Sequence, residues 1–188
     1  MPERKPAVTG EILLHQGLFV AFKKLEWTDA HGEPRQWETA DRMAKGAVLI
    51  IARLLPSDRL LLIRQYRPPA RRYVIEFPAG LTDPGEMPAE AAARELREET
   101  GYTAGNLRVY PAAYTTPGLS NEAVHMVLAE IDEDAPENRD PKTDFDESEM
   151  IETILIPHSE LPAFYRREVG AGNAFDSKLA AYILSMHD

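Results

Sequence analysis

Residues 95 to 99 place Glu95, Glu98 and Glu99 close together, with no lysine or histidine between them. We predict one helix over Pro88–Thr100, because proline suits a first helical turn and Gly101 suits the left-handed position just after a helix end. Spacings of three and four residues turn side chains to one face, so Glu95 faces both other glutamates. Such charges repel by roughly 4 kcal/mol per pair at about 4 Å and an effective dielectric of about 20. A bound divalent cation would turn the repulsion into ligation, and carboxylate oxygens suit Mg²⁺ or Mn²⁺.

A simpler interpretation of the same helix is a solvated surface helix rich in glutamate and arginine. In that interpretation Arg94 pairs with Glu90 and Glu98, each four residues away, and no metal is needed. The helix alone does not decide between the two interpretations, so the residues around it matter.

The segment from residue 80 to residue 102 is identified as a Nudix box, and every fixed position of that motif is filled. The motif begins with Gly80 and, after a gap of five residues, Glu86. After a gap of seven residues come Arg94-Glu95-Leu96, and after one further residue Glu98-Glu99. One more residue separates these from Gly101, which a bulky apolar residue follows. The departure is Tyr102, where the family usually has an aliphatic residue, and it concerns packing rather than ligation. The resemblance implies hydrolysis of a nucleoside diphosphate linked to another group, with metal ions bound by the box glutamates.

The composition restricts the classes of partner. The chain has 188 residues, a formal net charge of −10 and no cysteine. These numbers predict one domain with a sizeable core, and they argue against nucleic acid or an anionic membrane as a main partner and against disulfides or thiolate chemistry. The N-terminus carries no apolar signal core, so we expect a cytoplasmic protein. An acidic protein that binds a phosphate-bearing substrate needs local positive charge, from metal ions and from placed arginines.

The apolar and turn-forming residues predict an α+β protein. The acidic stretch from Asp132 to Glu149 is predicted to be a long loop, and Ser159 is predicted to cap a helix that runs to about Arg167. A last helix is predicted from the apolar face of Leu179, Ala180, Ile183 and Leu184. The predicted strands are Leu18–Trp27, Arg35–Arg42, Ala47–Ala52, Leu60–Gln65, Val74–Phe77, Leu107–Tyr114, Val124–Ile131 and Ile151–Ile156. This pattern agrees with the Nudix fold, an α/β/α sandwich with a mixed sheet, preceded here by N-terminal antiparallel strands.

Three segments outside the box resemble the ADP-ribose and ADP-sugar pyrophosphatase branch of the family. They are Gln65–Pro69 before the box, Ile75–Gly80 leading into it, and Pro117–Asn121 after it. The resemblance extends from about Gly17 onward and is weakest in the acidic loop. It implies a homodimer in which residues 1–45 provide dimerisation and base stacking and residues 46–188 form the Nudix hydrolase domain.

Site residues are carried over from this resemblance position by position. It implies that Glu95, Glu98 and Glu99 bind metal together with the Ala79 carbonyl. For the substrate, the resemblance implies adenine stacking on Trp37 and on Phe19, a position that tryptophan occupies in a member of the branch. Further substrate contacts are implied for Arg42, Arg67, Gly118 and Leu119. For the two aromatic residues, packing in the core is the alternative.

A general base is also needed to activate the attacking water. In the branch it lies on a loop after the box, and the alignment favours Glu149, with Glu147 second; Glu98 is a further candidate within the box. The predicted activity is Mg²⁺-dependent hydrolysis of ADP-ribose, or a close ADP-sugar, to AMP and a sugar phosphate such as ribose 5-phosphate. The alternatives are a pyrophosphatase for another nucleotide sugar such as GDP-mannose, and a non-catalytic nucleotide-sugar sensor.

Overall fold

The computed structural model of the protein describes residues 5–43, 46–144 and 150–186. The chain forms two compact units. The first contains residues 1–47 and 112–124, and the second contains residues 48–111 and 125–188. No helix in the described ranges is long and apolar enough to cross a membrane.

The first unit contains a three-stranded antiparallel sheet of β1 (Ala7–Gln16), β2 (Val20–Thr28) and β3 (Pro34–Arg42), in that order. The turn between β2 and β3 is closed by the Asp29 carboxylate, which accepts hydrogen bonds from the backbone N–H groups of His31 and Glu33. Strand β1 was not predicted. Most of its side chains are exposed, so it lacks the buried alternation by which strands are recognised.

The second unit is built on a mixed sheet with strand order β11-β6-β5-β4-β9-β8, while β10 pairs with β5 and β7 pairs with β4. Strand β4 lies parallel to β9 and antiparallel to β5, and β6 is antiparallel to β5 and parallel to β11. The strands are β4 (Ala47–Leu55), β5 (Arg59–Arg67), β6 (Arg72–Glu76), β7 (Ala79–Leu81), β8 (Asn106–Tyr114), β9 (Ala123–Asp132), β10 (Ile151–Pro157) and β11 (Ala174–Phe175). The predicted mixed α+β architecture is therefore confirmed.

Three helices cover this sheet: α1 (Pro88–Thr100), α2 (Leu161–Gly170) and α3 (Ser177–Leu184). Helix α1 buries Ala91, Ala92 and Leu96 in one core cluster with β4 and β9 side chains such as Ile50 and Val127. Helix α2 contacts β10 and β11, and α3 contacts β6. The shared core cluster thus packs α1 against β4, and β4 pairs with β7.

One detail differs from the expectations for the second half of the chain. Ser159 does not cap α2, because a short 3₁₀ turn precedes the helix and its N-terminus has no side-chain cap. The described part of the acidic loop, residues 133–144, contains one 3₁₀ turn at Pro136–Asn138. The buried Asn138 amide donates to the backbone oxygens of Thr103 and Asp132 and accepts a hydrogen bond from the Thr103 N–H.

Candidate functional site

Local sequence signals fix both ends of α1. At its start, the Met87 N–H donates to the Glu90 carboxylate at 3.0 Å. This hydrogen bond satisfies one of the backbone N–H groups that have no partner within the helix at its N-terminus. At its end, Gly101 has a φ of +77°, and its N–H donates to the Arg97 carbonyl. A side chain at residue 101 would also overlap the backbone of Lys142. Glu90 is therefore used as a cap and does not pair with Arg94.

Gly80 is required because the Glu95 carboxylate occupies the space of its missing side chain. A Cβ atom built on Gly80 would overlap that carboxylate. Glu95 itself is only 15% exposed and cannot give way freely into solvent. Gly80 and Glu95, two motif residues that lie fifteen positions apart in the sequence, therefore meet in space.

Glu99 reaches the same backbone segment from one helical turn further along α1. Its side chain is buried, and its Oε2 atom accepts a hydrogen bond from the Ala79 N–H at 3.2 Å. Glu95 and Glu99 are four residues apart, as the prediction of a shared face requires. Two carboxylates on α1 therefore converge on Ala79–Gly80, while Glu98 lies beside them, about one-third exposed.

Arg94 connects the acidic residues of this region. Its Nη1 atom donates to Glu95 at 2.9 Å and to Glu98 at 3.1 Å, and its Nε and Nη2 atoms donate to Glu86, each at 2.9 Å. The same Nη2 atom donates to the Leu81 carbonyl. The hydrogen bond from Arg94 lowers the pKa of Glu86 to about 2, and that bond raises the pKa of Arg94 in return. Arg94 is thus held in place on three carboxylates.

The donor chemistry of this cluster fits a hard divalent cation. Glu95, Glu98 and Glu99 provide carboxylate oxygens, and Ala79 provides a backbone carbonyl in the segment that the two inner glutamates approach. Among the described residues, no three acidic or histidine side chains already lie in ligating positions. In this structure Arg94 bonds one carboxylate oxygen of Glu95 and one of Glu98.

The acidic loop begins next to the same helix. The Asp144 N–H donates to the backbone oxygen of Glu98 at 2.9 Å. The two candidate bases, Glu147 and Glu149, lie outside the described residues, so their role stays a prediction.

A cleft of about 490 Å³ lies within the first unit, and Trp37 forms part of its wall. The Trp37 ring is half exposed, and its Nε1 atom donates to the Gly118 carbonyl at 3.0 Å. The Ala40 N–H and the Thr39 hydroxyl both donate to the Leu119 carbonyl. The structure therefore brings together Trp37, Gly118 and Leu119, three of the predicted substrate contacts.

The other two predicted contacts of the first unit lie at the ends of its strands. Arg42 closes β3, where its N–H donates to Asn121 at 3.1 Å and its Nε atom pairs with Glu122 at 2.8 Å. Phe19 lies in the turn before β2, not within a strand as predicted, and its ring is 75% exposed. Phe19 does not line the cleft that contains Trp37.

Sequence reasoning missed several residues of these regions. Tyr114 and Asp41 line the cleft, and Asp41 accepts a hydrogen bond from Thr39 at 2.8 Å. In the second unit the missed residue is Glu76 of β6, which accepts a hydrogen bond at 2.8 Å from the Nε atom of Arg67, a predicted substrate contact at the end of β5. The strand register does not place the two residues opposite each other, because Glu76 lies opposite Ile63 and Arg67 opposite Arg72, so no sequence pattern indicated this ion pair.

Comparison with known proteins shows to which family the chain belongs. The NUDIX domain family matches residues 43–176. The chain is 38% identical to the ADP-sugar pyrophosphatase of Mus musculus over 165 residues, which cover 84% of this chain and 76% of that protein. It is 33% identical to the ADP-ribose pyrophosphatase of Saccharomyces cerevisiae over 153 residues, covering 77% and 66% of the two chains. A crystal structure of an ADP compounds hydrolase has the same fold, with a TM-score of 0.67, 23% identity, and coverage of 88% of this chain and 85% of that one.

Proposed function

Because this chain belongs to the Nudix hydrolase family, we propose that it hydrolyses the diphosphate of ADP-ribose, or of a close ADP-sugar, to AMP and a sugar phosphate such as ribose 5-phosphate. The observation that carries the proposal is the convergence of the Glu95 and Glu99 carboxylates on Ala79–Gly80. The names of the mouse and yeast relatives, an ADP-sugar and an ADP-ribose pyrophosphatase, support the choice of substrate.

Members of the family generally use divalent metal ions, and we assign the ligands here to Glu95, Glu98, Glu99 and the Ala79 carbonyl. Mg²⁺ is the proposed ion and Mn²⁺ the alternative. When bound, the metal neutralises diphosphate charge and lowers the pKa of a coordinated water. Arg94 holds Glu95 and Glu98 on the same side of α1 before the ion arrives.

The proton of the attacking water passes to a carboxylate of the acidic loop in this proposal. Glu149 is the first candidate and Glu147 the second, and Glu98 of the box is the third. The hydrogen bond from Asp144 to the Glu98 backbone supports this assignment, because it ties the start of the loop to the helix that carries the metal ligands.

The cleft of the first unit is the proposed adenine site. The half-exposed Trp37 ring offers a face to a flat base, and base–aromatic stacking contributes roughly 1–3 kcal/mol per base in single-strand binding. The hydrogen bond to Gly118 fixes the tilt of the indole, and Leu119 lies beside it in the cleft wall. Phe19 would supply the second stacking face from a second copy of the chain.

Two arginines are proposed to hold the phosphates and the sugar. Arg42 and Arg67 are each 40–50% exposed at the side chain, and each keeps one carboxylate partner, Glu122 and Glu76 respectively. A guanidinium has five N–H donors, so one bond to a carboxylate leaves others for a diphosphate.

A homodimer is part of the proposal, with residues 1–45 as the dimerisation region and residues 46–188 as the hydrolase domain. Strand β1 exposes apolar side chains that water disfavours: Val8, Ile12, Leu13 and Leu14. An exposed apolar surface of this kind is typical of a protein–protein interface. Sedimentation of the purified protein tests this point, and a monomer at micromolar concentration would contradict it. The cytoplasm is the proposed compartment.

Hydrolysis of a panel of nucleotide sugars tests the whole proposal. We expect ADP-ribose to be cleaved with Mg²⁺ and not in the presence of a chelator, and GDP-mannose to be cleaved far more slowly. Glu99→Gln, which keeps the side-chain shape and removes one charge, should abolish turnover while the protein stays folded. Exposed Glu152 provides a matched control, and Glu152→Gln should retain full activity. Preference for GDP-mannose would favour the other nucleotide-sugar function, and binding without turnover would favour a sensor.

A further inference from the structure

Glu76 is a largely shielded acid that has no role in the proposed chemistry. It ends β6, three residues before Ala79, and its side chain is only 12% exposed. Its Oε1 atom accepts the hydrogen bond from the Arg67 Nε atom at 2.8 Å, although Arg67 itself is 43% exposed. The pair therefore joins a largely shielded carboxylate to a guanidinium that reaches the surface.

The shielded position makes the ion pair a demanding one. Burial raises the pKa of the Glu76 carboxyl, and the hydrogen bond from Arg67 acts in the opposite direction. A largely shielded carboxylate is costly without its cation, so Glu76 holds Arg67 more firmly than a fully exposed partner would.

The contact uses only part of the guanidinium. Nε is the bonded atom, and neither terminal nitrogen of Arg67 donates to another residue in the ranges that the structure describes. A guanidinium is planar, so fixing Nε also fixes the plane in which the terminal N–H groups point. Two parallel N–H donors match two oxygens of a phosphate or diphosphate group.

We propose that Glu76 is a positioning residue that orients the Arg67 guanidinium for the diphosphate of the substrate. This inference rests on the proposed function, because it takes Arg67 as a substrate contact. Glu76 also ends the strand that leads into Ala79–Gly80, so one short segment would place both the arginine and the backbone approached by the metal ligands. Glu76 acts through Arg67 and does not itself touch the substrate.

The experiment is a double-mutant cycle on KM and kcat for ADP-ribose. Glu76→Gln should raise KM about tenfold with little change in kcat, since a contact made equally in ground state and transition state affects mainly KM. In an Arg67→Gln background, the same change should have no further effect on KM. Glu76→Asp, which keeps the charge but shortens the side chain, should give a smaller increase.

Glu133 offers a matched control in the same unit, because it pairs with Arg59 at 2.5 Å, an arginine with no proposed role in binding. Glu133→Gln should leave KM unchanged. Calorimetric binding of α,β-methylene-ADP-ribose, a non-hydrolysable analogue, should weaken in Glu76→Gln, whereas binding of adenosine should not.

The outcomes separate this inference from the proposed function. A wild-type protein that neither binds the analogue nor cleaves ADP-ribose would refute both. An active wild type with unchanged KM in Glu76→Gln, or with additive effects in the double variant, would refute the positioning role alone. A lower KM in Glu76→Gln would also refute it, because Glu76 would then compete with the substrate for Arg67.

Discussion

Gly80→Ala is the most direct test of how the fold shapes the acidic cluster. The added Cβ would overlap the Glu95 carboxylate, so either that carboxylate or the β7 backbone must move on the order of 1 Å. A misplacement of about 1 Å in a catalytic arrangement can cost about 10²-fold in rate. We therefore expect kcat for ADP-ribose to fall by about two orders of magnitude.

The fold itself should tolerate this change better than the chemistry does. Relief of the overlap disturbs the contact between Glu95 and Arg94, a partly exposed ion pair of the kind that contributes about 1 kcal/mol or less. For a chain of this size, a loss of about 1 kcal/mol lowers the melting temperature by about 2–4 °C. Gly105 provides the matched control, because a Cβ there meets nothing within 4 Å and its φ is not positive.

The assay is steady-state hydrolysis at saturating Mg²⁺, combined with thermal melting of both glycine variants. Gly105→Ala should match wild type in both measurements. Turnover of Gly80→Ala within about twofold of wild type would refute the reasoning that the glycine makes room for a working Glu95. A melting temperature more than about 10 °C lower would show instead that Gly80 mainly supports the fold.

Three further predictions concern other parts of the molecule. Trp37→Ala should raise KM for ADP-ribose far more than it lowers the melting temperature, since the ring is half exposed; a large loss of melting temperature at unchanged KM would contradict the stacking role. Glu149→Gln should reduce kcat by about 10²–10⁴-fold with little change in KM, and Glu147→Gln should do so less; near-normal turnover in both variants would move the base to another residue. The hydrogen bond from Arg94 lowers the pKa of Glu86 from its usual value of 4.5 to about 2. The stability gained from this bond is therefore complete above pH 4.5 and is lost as the pH falls through about 2. Acid unfolding of Glu86→Gln should accordingly depend less on pH over that range.

The functional helix could be predicted closely because its signals are local. Pro88 and Gly101 mark the first turn and the residue after the end, and the structure gives the helix as Pro88–Thr100. The shared face of Glu95 and Glu99 follows from helical spacing alone. None of this depends on residues that are distant in the sequence.

Contacts between distant residues could not be predicted in the same way. Trp37 and Gly118 are 81 residues apart, and only the folded chain shows that one donates to the carbonyl of the other. The overlap at Gly80 depends likewise on how closely α1 packs on β7, which no periodicity reveals. Family resemblance named both regions without giving their geometry.

The errors also have physical causes. Strand β1 was missed because a strand exposed on both faces shows no burial pattern. Ser159 is a good capping residue by type, but the chain uses a 3₁₀ turn at that point, and α2 begins at Leu161. A side-chain cap is present at the next helix, α3, where the Asp176 carboxylate accepts a hydrogen bond from the Lys178 N–H.

The first unit is assembled from two separate stretches of chain, residues 1–47 and 112–124, and this limits how the unit can be truncated or exchanged. Backbone hydrogen bonds such as that from Ala40 to Leu119 join the two stretches. A truncation that removes only the N-terminal strands would leave the Leu119 turn without its partner. Because the proposed adenine site lies in the first unit, a chimera designed to exchange it would have to transfer both stretches together, although some sixty residues of the other unit lie between them in the sequence.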